Sequence, residues 1–312
     1  MESKLLIYPE ELDGAWIDKM VAANISVLGI HPHGGADSTE SAKQIVELCR
    51  DKDFRTRIDL ARARGLRVEY ELHVINYLLP RELYASHPEY FRMDEDGNRK
   101  CDHNLCATNE EALQLVAQRA AELTDELYGS SDRFYFWMDD TRGGCCMCDK
   151  CRTLTPSDQQ QTVLNAMMRA IRKKRPTATL AYLAYYDTLQ PPVKVAPEKG
   201  IFLEYAPLFK YTSADENIIS RERDAILPLL SHFGTEGSTV LEYWYDNSMF
   251  SRWSFPPKQF VLDAAAMERD IKEYVNMGFE NISSFACFLG ESYRQLWADV
   301  DVSDMTKIID RI

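Results

Sequence analysis

Two carboxylates and a knot of thiols sit side by side in the stretch FYFWMDDTRGGCCMCDKC, residues 134–151. Asp139 and Asp140 end an aromatic, β-like run, where a pair of acids is costly to bury unless it is used. Neighbouring carboxylates push one pKa upward, so that one acid stays protonated near neutral pH while the other serves as base or nucleophile. Cleavage of a glycosidic bond needs that division of labour, together with aromatic faces that stack on the apolar faces of sugar rings. Side chains alternate along a strand. Asp140 shares the phase of Phe136 and Met138, and Asp139 that of Trp137, so the two acids are expected to do different things.

Other polar and aromatic residues gather where further β-like runs stop. His31 and His33 follow ISVLGI; Glu71, His73 and Asn76 end RVEYELHV; Tyr185 ends TLAYLAY; Glu204 and Tyr205 end IFLEY; Glu242, Tyr243, Trp244 and Asp246 end TVLEYWY. The expected catalytic carboxylates are Asp140 and Glu242, in acid/base or nucleophile roles, with Asp139 positioning substrate. The other rim residues are the expected substrate contacts, and no catalytic cofactor is expected. A competing metal-hydrolase reading starts from the H-x-H of His31 and His33. It asks for more histidines at later strands, and the fifth and sixth runs end without any. A non-catalytic carbohydrate-binding barrel is the rival from another class.

The cysteines form a second constellation. Six of the eight (Cys101, Cys106, Cys145, Cys146, Cys148 and Cys151) fall in one sixth of the chain, a clustering that in a reducing compartment points to metal more often than to disulfides. Cys148 and Cys151 make a C-x-x-C, Cys145 or Cys146 offers a third thiolate, and Cys106 comes from the preceding long loop. A closed set of Cys106, Cys146, Cys148 and Cys151 would be a structural zinc site with no open coordination position. Reduced cysteines packing the loop, or a disulfide in an exported protein, are the alternatives. The C-C-x-C-x-x-C spacing after the fourth run disagrees with a radical iron–sulfur signature.

What must position these groups is a set of alternating elements. Eight β-like runs (4–8, 25–30, 67–74, 133–138, 179–185, 201–205, 239–245 and 282–288) are separated by amphipathic stretches at 12–22, 41–64, 110–128, 157–174, 217–232 and 257–277, with a last helix at 303–311. This is the (β/α)8 pattern of a single-domain TIM barrel over residues 1–312, with long loops at 75–109 and 139–156 on the face where such barrels place their active sites. A doubly wound sheet would show a Gly-rich turn after the first run, and KLLIYPEELDG has none. A net charge of −13 without an extended basic patch argues against nucleic acid as partner. No membrane segment is present, and MESKLLIYPEELDG lacks the apolar core of a signal peptide, so the chain as given reads as cytoplasmic. The oligomeric state is left open.

The run ELHVINYLLPRELYASHPEYFRMDEDGNRKCDHNLCATNEEALQLV, the C-x-C-x-x-C, LAYLAY, EYAP and EYWYD together resemble bacterial barrels of the domain-of-unknown-function 4838 group over roughly residues 65–290. That group includes the family 163 endo-β-N-acetylglucosaminidases and is distantly related to family 20 hexosaminidases and family 67 glucuronidases. The resemblance implies a glycosidase barrel with acids at the fourth strand, Asp140 matching the Asp that precedes the Gly/Cys loop. Related hexosaminidases carry Asp-Glu there, the Asp orienting the substrate's acetamido group and the Glu acting as acid. This chain has Asp-Asp, so Glu242 or Glu204 becomes the candidate for the longer acid from across the barrel.

Overall fold

The structure, a computed structural model, describes residues 1–34 and 38–312. Eight parallel strands close into a barrel in chain order: β1 (Glu2–Ile7), β2 (Val27–Ile30), β3 (Arg67–His73), β4 (Arg133–Trp137), β5 (Thr179–Ala184), β6 (Ile201–Tyr205), β7 (Thr239–Glu242) and β8 (Asn281–Phe285). The ring is sealed by β8 against β1, with Lys4 opposite Ser283 and Leu6 opposite Phe285. The expected TIM barrel is therefore the observed architecture.

Alternation along the strands divides the apolar residues into two cores. Leu5, Ile7, Val68, Tyr70, Leu72, Phe134, Phe136 and Tyr182 pack outward against the helices. Leu6, Tyr135, Trp137, Ala181, Leu183, Phe202, Leu241 and Phe285 fill the inside. The interior is tight at β2: a Cβ on Gly29 would lie 2.8 Å from Leu6 Cγ, so a glycine stands where β1 fills the barrel.

The lower interior is ionic. Lys4 Nζ lies 3.2 Å from Glu69 Oε2, bridges to Glu71, and sits 3.7 Å over the Tyr135 ring. Burial pulls the Lys4 ammonium down, but the surrounding carboxylates outweigh it and hold the pKa well above its ordinary value. Glu204 Oε2 accepts a 2.7 Å hydrogen bond from Trp137 Nε1, and burial, with Glu71 nearby, pushes its carboxyl well upward. Burial thus disfavours the charged form of Glu204, while Lys4 stands between Glu69 and Glu71 as their shared cation, and such pairing lets several acids occupy a dry core.

The helical stretches differ from the expectation where side chains cap the backbone. The stretch 41–64 is two helices, Ser38–Leu48 and Lys52–Ala63, because the Asp51 carboxylate takes the amides of Asp53 and Phe54 and starts a new helix. The stretch 217–232 divides at Ala225. The helix expected from 257 begins only at Ala264, capped by Asp263, and ends at Gly278 in the left-handed region at φ 95°. Among the described residues, no helix is long and apolar enough to cross a membrane.

Candidate active site

The barrel's C-terminal mouth opens into a cavity of about 740 Å3, within the range typical of small-ligand sites. Tyr8, Trp137, Tyr185, Tyr186, Tyr243, Phe285 and Phe288 form much of its wall, and the exposed Trp253 and Phe255 stand at its rim. Among the described residues, its lining carboxylates are Asp140, from the end of β4, and Asp246, four residues beyond β7.

The adjacent acids Asp139 and Asp140 part company because β4 stops at Trp137. Strict alternation would have sent Asp139 inward with Trp137; past the strand end the chain turns and Asp140 takes that place. Asp140 Oδ1 accepts from Tyr185 Oη at 3.1 Å. Asp139 points instead toward the loop after β3, where it is held by Arg81 Nη2 at 2.9 Å, Asn76 Nδ2 at 3.0 Å and the Asn104 amide. The Asn104 side chain answers by accepting from the Asp139 amide at 2.9 Å. Asp139 borders a separate recess of about 50 Å3 and does not line the large cavity. The expectation that Asp139 touches substrate is corrected accordingly, and so is that for Asn76, whose amide is used in holding Asp139.

Glu242 requires the largest correction. On β7 the inward phase belongs to Leu241 and Tyr243, so Glu242 faces the helix layer. There it accepts from Lys210 Nζ at 2.9 Å and Tyr211 Oη at 2.6 Å, and from Tyr274 on the helix Ala264–Met277. It is wholly buried and does not line the cavity. Trp244 shares its phase and donates to Asp270 at 3.1 Å, while Tyr205 donates to the Glu222 carbonyl at 3.0 Å beneath a helix. Neither reaches the mouth. Glu71 and Glu204 lie in the ionic interior below the mouth, Glu204 closed off by Trp137.

Several expected contacts do face the cavity. Tyr243 stacks on Phe285 with centroids 5.2 Å apart. His31 and His73 are each fixed by one ring nitrogen, His31 Nδ1 against the Glu71 carbonyl at 2.9 Å and His73 Nδ1 against that of Met138. Burial, reinforced by His73, pulls His31 down to about 3, so it enters the pocket as a neutral imidazole. His33 stacks on Tyr8 at 3.9 Å and meets Glu10 Oε1 at 2.6 Å. Among the described residues, neither His31 nor His33 joins a set of side chains grouped as metal ligands would be.

Asp246 is the acid whose weight the sequence did not reveal. Its Oδ1 caps the short helix Asn247–Phe250, accepting from the amides of Ser248 at 3.1 Å and Met249 at 3.2 Å and from the Ser248 hydroxyl. Tyr8 Oη reaches Ser248 Oγ at 3.3 Å, extending the network across the barrel. Those bonds all fall on Oδ1, and Asp246 lines the cavity. Burial pushes the carboxyl up to about 6 even though the Ser248 and Met249 donors oppose it.

Residues 44–284 match the model of a family described as Domain of unknown function (DUF4838). The chain belongs to this family. No curated protein matches it. Among solved structures, the DUF4838 barrel is similar to a cold-adapted beta-galactosidase from Rahnella sp. R3, with TM-score 0.57 and 13% identity over 100% of this chain and 56% of that one. It is also similar to a tri-modular GH5 subfamily 4 endo-beta-1,4-glucanase from Bacillus licheniformis, with TM-score 0.54 and 14% identity over 99% and 58% of the two chains. A third likeness is to the GH20 catalytic modules of a pneumococcal exo-beta-D-N-acetylglucosaminidase, with TM-score 0.50 and 13% identity over 99% and 83%. The DUF4838 chain thus spans a little over half the length of the first two. At these identities the likeness is one of fold.

Some cavity residues escaped the reading of strand ends. Trp137 was legible in principle, since it shares the phase of Arg133 and Tyr135 on the inner face. Arg142, which lies over the rings of Tyr186 at 4.5 Å and Phe209 at 4.7 Å, sits in the loop read for its cysteines. Trp253 and Phe255 belong to a loop beyond β7 where only the aromatic run RWSFPP gave a signal.

Proposed function

We propose that the chain is a glycoside hydrolase in which Asp246 is the general acid and Asp140 the nucleophile or general base. The observation that carries this is the pairing of Asp140 and Asp246 in one aromatic-walled cavity at the barrel mouth. A carboxyl raised to about 6 is poised to give its proton to the departing glycosidic oxygen. The Tyr185 hydroxyl donating to Asp140 Oδ1 at 3.1 Å fixes how this carboxyl group is presented on the other side of the sugar. If Asp140 attacks the anomeric carbon, the C–O bond breaks as Asp246 protonates the leaving oxygen, and Asp246 then draws a proton from water to release the sugar with retention. If Asp140 activates water directly, the product is inverted. Carboxyl separations of about 5–5.5 Å favour the first course and about 6.5–9.5 Å the second.

The solved structures similar in fold include enzymes on β-galactosides, β-1,4-glucans and β-N-acetylglucosaminides, which supports a β-linked hexoside as substrate class. The likeness to the GH20 modules of an exo-beta-D-N-acetylglucosaminidase supports the finer proposal of an N-acetylglucosaminide. With Asp139 engaged by Arg81, however, an acidic neighbour beside Asp140 is not placed to orient an acetamido group.

The test is turnover of aryl β-glucoside, β-galactoside and β-N-acetylglucosaminide by the wild type, Asp140→Asn and Asp246→Asn. Each variant is expected to lose about 10^3-fold or more in kcat on whichever substrate is turned over, as the loss of an acid/base or nucleophilic group implies. The wild-type kcat/KM is expected to fall as pH rises through about 6, because Asp246 then loses the proton it must donate. Full activity in both variants would overturn the assignment. Sugar binding without turnover in the wild type would make the barrel a binding module.

A further inference from the structure

Cys106, Cys146, Cys148 and Cys151 converge from two different loops. Their sulfurs all lie within 4.8 Å of one another. Cys106 Sγ is 3.7 Å from that of Cys148 and 3.8 Å from that of Cys151. Thiolates bound at about 2.3 Å to one tetrahedral ion lie about 3.8 Å apart, so the spacing along these two edges is that of a zinc–sulfur tetrahedron. It is far longer than the roughly 2.05 Å of a disulfide, and all four cysteines are free.

The surroundings suit anionic sulfur. The Met93 amide points at Cys146 Sγ at 3.3 Å, Arg99 Nη1 approaches the same sulfur at 3.8 Å, and Thr108 Oγ1 lies 3.2 Å from Cys151 Sγ. Four thiolates around a divalent ion carry a net negative charge, and one guanidinium with neutral donors offsets part of it. Gln159 braces the backbone, accepting from the Cys146 amide at 3.0 Å and donating to the carbonyls of Cys146 at 3.0 Å and Cys151 at 3.2 Å. Cys145, the other sequence candidate, lines the recess beside Asp139 and stays outside the group.

We propose that these four cysteines bind one zinc ion as a closed structural site that staples the loop after β3 to the loop after β4. Four protein ligands leave no position for substrate, and none of the four lines the large cavity. The staple bears on the acids through Asn104, two residues before Cys106. Asn104 holds Asp139 through its backbone amide and side chain, and its Nδ2 donates to the Gly144 carbonyl at 3.1 Å, joining the same two loops. Zinc binding displaces the thiol protons and closes both loops around one point, so its free energy is expressed as stability of this rim.

The proposal is independent of the sugar chemistry and is tested without it. The full chain is produced in medium containing both zinc and iron, purified without immobilised metal, and assayed for metal per chain. The expected result is about one zinc per chain, retained by Cys101→Ser and lost by Cys148→Ser and Cys151→Ser together with a fall in Tm of several degrees. Cobalt added to chelator-stripped wild type is expected to give the ligand-field absorption of a tetrahedral thiolate complex, a readout that stands even if the cysteine variants do not fold. Wild type that takes up neither zinc nor cobalt, that carries disulfides among these cysteines, or that holds iron in place of zinc overturns the proposal.

Discussion

Two groups of buried acids border β7, and they differ in what faces them. Glu242 looks outward, into the space between strand and helix, and meets the Lys210 ammonium and two tyrosine hydroxyls. Asp246 lines a cavity and meets amides and a serine hydroxyl but, among the described residues, no cation. The first arrangement supplies each charge with a partner; a neutralised, fully bonded carboxylate has nothing left to offer a substrate. The second lifts the pKa of a carboxyl group that lines the cavity, which is the condition of a working acid. The adjacent Asp139 and Asp140 differ in place as well: Arg81 clamps Asp139 outside the cavity, and Asp140 lines it.

The strongest way to break this contrast is to exchange the consequences. Lys210→Met leaves Glu242 and Asp270 buried without their shared cation. Removing one partner of a buried pair costs about 3–5 kcal/mol. The expected outcome is a large loss in denaturant midpoint with kcat of the folded protein within about threefold of wild type. Asp246→Asn is expected to do the reverse, because an amide resembles the protonated acid in shape and charge: little change in midpoint, and near-complete loss of turnover. If Lys210→Met abolished turnover in protein that is still folded, Glu242 would return to the catalytic account.

The contrast also explains what could be read from the chain. The barrel was legible because each strand carries its own β-branched and aromatic run and each long helix its own apolar stripe. Facing was less so. In TVLEYWYD one phase reads Thr239, Leu241, Tyr243, Tyr245 and the other Val240, Glu242, Trp244, Asp246; both carry apolar and aromatic residues, so Glu242 and Trp244 looked as good as Leu241 and Tyr243. What decides is where the strand stops, and β7 stops at Glu242, three residues short of the run that looked extended. Asp139 and Asp140 show the same limit: alternation said that they differ, but β4 ends at Trp137 and the chain bends at Asp140, and this decides which one enters the cavity. The cysteine constellation was legible because four sulfurs need only proximity, and two long loops after adjacent strands provide it.

Asp139 supplies the next test. Its side chain is 2% exposed and Arg81 22%. Asp139→Asn keeps the shape but turns a donor toward Asn76 or the Asn104 amide and leaves Arg81 without its charge partner. The expected loss is roughly 2 kcal/mol, less than for a fully buried pair because Arg81 reaches solvent. The loop that holds Asn104 loosens with it, so kcat is expected to fall about tenfold, with KM little changed, through the displacement of Asp140. A variant with wild-type midpoint and wild-type kcat would show that the clamp does not position the acid. A loss as large as that of Asp140→Asn would return Asp139 to the chemistry.

The smallest effect belongs to the rim. Trp253 lines the cavity yet is 62% exposed, and Phe255 beside it is 63% exposed. Trp253 holds a left-handed backbone at φ 51°, fixed by a 2.7 Å bond from its amide to the Ser248 carbonyl. Nothing in the core needs this indole at the mouth. A sugar unit stacked on it would hide about 40 Å2 of apolar surface, worth about 1 kcal/mol. That contact is made equally in the ground and transition states, so Trp253→Ala is expected to raise KM about fivefold while leaving kcat and Tm unchanged. The effect should appear with oligosaccharides long enough to reach the rim and vanish with a small aryl glycoside held among Trp137, Tyr185 and Tyr243. An equal change with both substrates would place Trp253 within the site of bond cleavage, and the division between a chemical floor and a binding rim would have to be redrawn.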